Sequence, residues 1–136
     1  MYTSETFVRV RYSETDQMGY VYYGNYAAYY EVGRVESLRQ LGLTYKELEE
    51  MGVMMPVLEN KSIYHQAALY DDHLKIVTTI HEKPSVRICF NYAIYNGEGK
   101  LIHEGETRLA FVNKKTGRPC RPPQLFMNVL KPYFKI

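Results

Sequence analysis

The chain is short of cysteine, of excess charge and of long apolar runs, and each shortage excludes something. Its 136 residues hold two cysteines, Cys89 and Cys120, far apart and without a C-x-x-C spacing. A disulfide framework is excluded, and two free thiols suit a reducing compartment. His65, His73, His81 and His103 form no H-x-H or H-E-x-x-H pattern, so no metal site is expected. The 17 basic residues nearly balance 15 acidic ones, leaving a net charge of +2. A general nucleic-acid binder carries a far larger basic excess, so no such partner is expected, while a local patch for one phosphorylated ligand stays open. No apolar run is long enough to cross a bilayer. The opening "MYTSETFVRVRY" has no basic segment followed by an apolar one, as a signal peptide would. The expectation is a cytoplasmic protein. G-x-G-x-x-G, Walker and G-x-S-x-G motifs are missing as well, and no cofactor is expected.

What is present is the composition of a globular protein, 46% hydrophobic and 24% charged, with no low-complexity tract. The length fits a single domain over residues 1–136. "TFVRVRY" (6–12) alternates apolar and polar residues as a half-buried strand does. From Asn25, "NYAAYYEVGRVESLRQLG" reads as a helix with Ala27, Tyr30, Val35, Leu38 and Leu41 at three- to five-residue steps. Asn25 suits the N-cap and Gly42 the C-terminal stop. Gly33, costly inside a helix, implies close packing against another surface. Thr44 with Glu47 reads as the capping box of a short second helix ending at Gly52. Strand-like runs follow at 55–66, 74–83, 86–96 and 101–113, with "NGEGK" as a hairpin turn. "KKTGRPCRPP" reads as an exit segment, because its prolines end any ladder. A strand, a long helix, a short helix and four strands predict an α+β domain, its antiparallel sheet of about five strands curled around the long helix. Such a sheet leaves an edge or a face for a second copy, so a homo-oligomer is expected.

The chemistry concentrates in "SETDQMGYVYYGNYAAYY", residues 13–30, which sets one acid, Asp16, before an uncharged, tyrosine-dense turn and a helix start. Free N–H groups and partial positive charge at a helix start can hold a carbonyl oxygen as it becomes an oxyanion. A nearby carboxylate can attack the carbonyl or activate a water. Equally, an aspartate in a turn can simply bond its own backbone. The tyrosines at 20, 22, 23, 26, 29 and 30 suit either a substrate pocket or ordinary packing. Glu31 could orient a ligand or pair with Arg34 or Arg39. Lys83, Arg87, Lys114, Lys115 and Arg118 could touch phosphates or form a solvated edge.

The stretch from Val8 to Gly42 resembles the N-terminal signature of the 4-hydroxybenzoyl-CoA thioesterase family of the hotdog superfamily. The matching positions are Thr15, Asp16, Gly19, Tyr23, Asn25, Tyr26, Tyr30, Glu31 and Arg34. "ALYDDHLKIVTTI" and "GRPCRPP" resemble later segments of the family in the same order. The resemblance implies a hotdog fold, a homodimer or homotetramer, and hydrolysis of an acyl-CoA at the dimer interface. It makes Asp16 the catalytic carboxylate, as nucleophile or general base, and the N–H of Tyr23 the oxyanion donor. Gly24, Asn25, Tyr26 and Glu31 then border the substrate, and Lys83, Ser85 and Arg87 meet the CoA phosphates. Many members carry a histidine where this chain has Tyr23. Tyrosine there resembles the hydroxybenzoyl-CoA branch and leaves the acyl group open. An acyl-carrier-protein thioesterase and a non-catalytic acyl-CoA- or partner-binding module are the alternatives.

Overall fold

The computed structural model describes residues 1–135. Its elements in chain order are β1 (Tyr2–Arg9), α1 (Tyr26–Gln40), α2 (Tyr45–Glu50), β2 (Val53–Met54), β3 (Val57–Tyr64), β4 (His73–Ile80), β5 (Arg87–Tyr95), β6 (Leu101–Ala110), β7 (Val112–Asn113) and α3 (Gln124–Leu130). Five strands form one antiparallel sheet in the order β1-β4-β5-β6-β3, and β2 pairs with β7 in a separate ribbon. The α+β hotdog arrangement expected from the sequence is what the chain adopts.

Alternation builds the centre of the sheet. Leu74, Ile76, Thr78 and Ile80 of β4 and Ile88, Phe90, Tyr92 and Ile94 of β5 are buried on the face that receives α1. Each fully buried aliphatic or aromatic side chain contributes on the order of 1.5–3 kcal/mol. Val86, the first residue of the strand-like run expected at 86–96, lies before the strand and is exposed. The first strand starts at Tyr2, earlier than its apolar alternation suggests, because two of its inward positions are the polar Ser4 and Thr6. It ends at Arg9, and Tyr12–Glu14 already forms a 3-10 turn.

The face that α1 buries is Tyr26, Tyr29, Tyr30, Gly33, Arg34, Ser37 and Leu38. These steps of three and one fit a helix stripe, but only Leu38 is aliphatic. Ala27, expected on this face, is exposed, and Val35 is half-buried. Gly33 does permit close approach: a Cβ there would lie 2.6 Å from Thr78 Oγ1 and 3.1 Å from Ile76 Cγ2. Gly105 of β6 makes similar room for the ring of Tyr30. Thr44 caps α2 as predicted, its Oγ1 accepting from Glu47 N–H at 3.1 Å. In the 96–100 turn, Asn96 Oδ1 accepts from the N–H groups of Glu98 and Lys100 at 3.0 Å each.

Two features depart from the sequence reading. After the proline-rich exit segment the chain forms α3, which buries Phe126 and Leu130 against the core. The edge strand β3 is exposed at every position.

Candidate functional site

The segment carrying Asp16 is a small closed loop. Thr15 and Val21 form an antiparallel bridge. Within it, Asp16 N–H donates to Tyr20 C=O at 2.8 Å and Gly19 N–H to Asp16 C=O at 3.0 Å. Gly19 takes φ +78°, a conformation that disfavours a side chain. Asp16 Oδ1 accepts from Met18 N–H at 2.9 Å and Tyr20 N–H at 3.2 Å. The Asx-type bond is thus real, but it occupies one carboxylate oxygen. Among the described residues, Oδ2 has no hydrogen-bond partner. Turn-forming and reactive roles are compatible in one carboxylate.

A 3-10 turn at Tyr23–Asn25 runs directly into α1. Among the described residues, no backbone carbonyl accepts from the N–H of Tyr23 or Gly24. Such free donors are what the start of a helical run leaves. Asn25 does not cap α1: its backbone is already helical and its side chain makes no cap bond. Instead Asn25 Nδ2 donates to Glu14 C=O at 2.7 Å. The same carbonyl accepts from Tyr22 N–H at 2.9 Å. Glu14 Oε1 also accepts from Tyr29 OH at 3.0 Å and Arg11 N–H at 2.8 Å. Glu14 therefore ties the Asp16 loop to the turn and the first turn of α1. Burial pushes its carboxyl pKa up, but the donors from the Arg11 backbone, Tyr29 and the Arg11 guanidinium outweigh this and hold it below the usual value. The sequence reading missed Glu14 and its bond with Tyr29, because bonds between residues 15 apart leave no local spacing signal.

The tyrosine cluster divides. Tyr20, Tyr22 and Tyr23 are exposed, with the rings of Tyr22 and Tyr23 4.6 Å apart. A Cβ on Gly24 would lie 2.8 Å from the Tyr22 ring, so that glycine lets the ring fold over the turn. Tyr26, Tyr29 and Tyr30 are core residues. Tyr26 stacks on His103 with centroids 3.9 Å apart. Tyr30 OH bridges His103 Nε2 at 2.5 Å and Ser62 Oγ at 2.6 Å. Burial, with a smaller contribution from His65, lowers the His103 pKa to about 4, so this imidazole is neutral near pH 7.

Glu31 is exposed and pairs with neither arginine. Arg34 turns inward, donating to Tyr92 OH at 3.0 Å and Thr107 Oγ1 at 3.3 Å, while Arg39 pairs with Glu36 at 3.3 Å. The Cys89 thiol, pushed up to about 12 by burial and Glu106, is not poised as a nucleophile.

Lys83, Ser85 and Arg87 are exposed at the other end of the sheet. Tyr2 pairs with Ile80 near that turn, whereas Arg9 pairs with His73 near the Asp16 loop. The eight residues of β4 separate the two by roughly 23 Å. One protomer therefore brings Asp16, Tyr23, Gly24 and Asn25 together and leaves the three phosphate candidates apart. Lys83 and Ser85 instead line a pocket of about 500 Å³ with residues of the C-terminal segment, Arg121 and Lys131 among them.

The model of the thioesterase-like superfamily matches residues 10–130. The acyl-CoA thioesterase YbgC of Haemophilus influenzae is 37% identical over 118 residues, covering 86% of each chain. The acyl-CoA thioester hydrolase YbgC of Escherichia coli is 32% identical over 117 residues, covering 86% of this chain and 87% of its own. The crystal structure of a DHNA-CoA thioesterase from Staphylococcus aureus superposes with a TM-score of 0.90 at 32% identity, covering 98% of this chain and 89% of that one. The chain belongs to the thioesterase-like superfamily, as an enzyme of the hotdog-fold acyl-CoA thioesterase family.

Proposed function

We propose that the protein hydrolyses an acyl-CoA thioester to the free acid and CoA, using Asp16 and the helix start at Tyr23. The observation that carries this reading is the Asp16 carboxylate itself: Oδ1 is fixed by two N–H donors, and Oδ2 has no partner among the described residues. A carboxylate so held is oriented without being neutralised.

Two steps satisfy the chemistry. Oδ2 attacks the thioester carbon, the C–S bond breaks with its electron pair on sulfur, and water then hydrolyses the acyl–Asp16 anhydride. Alternatively Oδ2 takes a proton from a water whose oxygen attacks the same carbon, and the thiolate leaves and is protonated. In both, negative charge develops on the carbonyl oxygen, and the N–H of Tyr23 is our assignment for its donor. Gly24 and the exposed rings of Tyr20, Tyr22 and Tyr23 would border the acyl group, and Asn25 would hold the turn in place.

The active form in this reading is a homodimer. The edge strand β3 exposes Val57, Leu58, Ile63 and Tyr64, an edge that a folded protein ordinarily covers. Tyr64 lies at the end of β3 beside Tyr26, with rings 5.5 Å apart. Val57 lies at the other end, opposite Leu109. Antiparallel pairing of two β3 strands about a two-fold axis would set the basic end of one copy beside the Asp16 end of the other.

The test is thiol release from short, long and aromatic acyl-CoAs by the wild type and by Asp16→Asn. The expected result is release by the wild type and a loss of about 10²–10⁴-fold in the variant. Equal rates in both would overturn the role of Asp16.

A further inference from the structure

We propose that the helix-side face of β3 presents two directed hydrogen-bond donors, Asn60 and Ser62, which bind a carboxylate at the far end of the acyl group, so that the enzyme prefers the CoA monothioesters of dicarboxylic acids. The inference deepens the thioesterase reading and rests on it for the substrate to which that carboxylate belongs.

Each donor ends a hydrogen-bonded chain that starts on a buried residue. The first chain starts at Arg34, 6% exposed, whose guanidinium can only donate. Its Nη1 donates to Thr107 Oγ1 at 3.3 Å, and Thr107 Oγ1 donates to Asn60 Oδ1 at 2.7 Å. That order turns the amide oxygen of Asn60 inward and its NH2 group outward. The second chain starts at His103, which is buried and neutral near pH 7. Its Nδ1 has no partner. An unbonded acceptor costs less there than an unbonded N–H, so the proton sits on Nε2. Nε2 then donates to Tyr30 OH at 2.5 Å, and Tyr30 OH donates to Ser62 Oγ at 2.6 Å. The Ser62 proton is left to point away from the chain. Among the described residues, neither the Asn60 NH2 group nor the Ser62 O–H has an acceptor.

The two donors share one face. Asn60 pairs with Thr107 and Ser62 with Gly105 across β3 and β6, and their bonds to Thr107 and Tyr30 set both side chains on the side that receives α1. Both are exposed, and their spacing along the strand is about 7 Å. Tyr64, two residues further on the same face, has its ring 5.5 Å from that of Tyr26, the first residue of α1. The donors therefore lie in line with the helix start assigned to the thioester carbonyl, further along by part of an acyl chain. Pairing of two β3 strands uses backbone groups in the plane of the sheet and leaves side chains perpendicular to it free.

Donors without an acceptor select an oxygen that accepts, and the charge behind them selects an anion. Among the described residues, Arg34 has no carboxylate within 4.0 Å, and its Nε makes no hydrogen bond. A guanidinium so buried, bonded only to the neutral hydroxyls of Tyr92 and Thr107, is short of one negative charge. A carboxylate on Asn60 and Ser62 supplies it through the chain. An alkyl end in the same place would leave both donors desolvated and unpaired, which rejects it.

The test compares glutaryl-CoA with hexanoyl-CoA, which differ at the acyl end and share the whole of CoA. Binding is measured by calorimetry in an Asp16→Asn background, so that the thioester survives. Glutaryl-CoA should bind about tenfold more tightly or better. Asn60→Asp keeps an oxygen that accepts from Thr107 and exchanges the outward donors for a negative charge. It should reverse the preference, and Ser62→Ala should reduce it about fivefold. Tyr30→Phe cuts the chain behind Ser62 at a residue only 1% exposed, and should reduce the preference as well. Asn60 and Ser62 are exposed, so melting temperatures report whether their variants are folded. Equal affinities for the two thioesters, or a preference that survives Asn60→Asp, would overturn the proposal. A preference that Asn60→Asp reverses, with neither thioester cleaved by the wild type, would leave the donor site standing and remove the hydrolase reading. Cleavage of both by the wild type, with equal affinities, would do the opposite.

Discussion

Where Arg9 pairs with His73, the sheet ends in a tight loop that holds the Asp16 carboxylate, free helical N–H groups and a bed of buried tyrosines. Where Tyr2 pairs with Ile80, it ends in a pocket with three cations and no carboxylate. The separation has a chemical use. A lysine or arginine beside Asp16 would lower its basicity and occupy Oδ2, which the structure leaves without a partner among the described residues. The cations at the acid end, Arg9 and Arg11, are taken up by Asp71 and Glu14, and the unpaired ones of the pocket stand at the opposite end of β4.

The sharpest way to break this comparison is a pair of substitutions at Asp16. Asn keeps an oxygen that can accept from Met18 and Tyr20 N–H, so Asp16→Asn should lose turnover with its melting temperature nearly unchanged. Asp16→Ala removes both bonds and should lose, in addition, about 1–2 kcal/mol of stability measured by denaturant titration. Equal destabilisation by the two would mean that the charge of Asp16, not its turn bonds, organises the loop.

A second effect belongs to the acid end alone. His103 faces the rings of Tyr26, Tyr30 and Tyr64, with His65 and Glu104 nearby. Folded, it stays neutral down to about pH 4; unfolded, it takes a proton near the ordinary value of 6.5. The unfolded state therefore binds more protons in that window, and stability should fall as pH drops from 6.5 towards 4. His103→Phe keeps an aromatic ring on Tyr26 but cannot titrate. It should cost about 1 kcal/mol at pH 7 through the lost Tyr30 bond and show a shallower decline below pH 6.5. An unchanged acid limb in urea titrations would move the effect to other groups.

The contrast between the two ends was only half legible in the sequence. Strand alternation, the Thr44 cap and the 96–100 turn are local, and local patterns place β4, β5, α2 and the hairpin. The buried stripe of α1 is not legible by residue class, because Tyr29, Tyr30 and Arg34 are buried with partners far along the chain, Tyr92 and Thr107 for Arg34, and the Ser37 hydroxyl is satisfied by the Arg34 carbonyl one turn back. Prolines before α3 read as an ending, although Phe126 and Leu130 four residues apart were a usable helix signal. The Asp16 loop stood out because acid, glycine and helix start are contiguous. The cationic pocket did not, because Lys83 and Arg121 meet only in the folded chain.

A smaller effect tests the brace behind the acid end. Asn25→Ala removes one of the two donors to Glu14 C=O, leaving Tyr22 N–H, and so loosens the turn against the Asp16 loop. Misplacing the oxyanion donors should lower kcat by about tenfold with little change in KM, because ground-state contacts survive. Asn25→Gln, which can still donate, should restore part of the rate. A rise in KM at constant kcat would instead place Asn25 against the substrate.

The smallest effect is expected at the most conspicuous position. Tyr23 is 65% exposed, with its ring 4.6 Å from that of Tyr22. If the residue acts through its backbone N–H, Tyr23→Phe changes nothing that the reaction uses. Stability should stay within about 0.5 kcal/mol, and kcat/KM for aliphatic acyl-CoAs should stay within about twofold. A phenol that touches the acyl group would show itself differently, as a loss confined to substrates bearing a hydroxyl or other polar group on the ring. A collapse of rate on every substrate would make the phenol a proton donor and displace the backbone N–H from its proposed role. A uniform and small response would leave the acid end with a single indispensable side chain, Asp16, set on a loop whose other contributions come from its backbone.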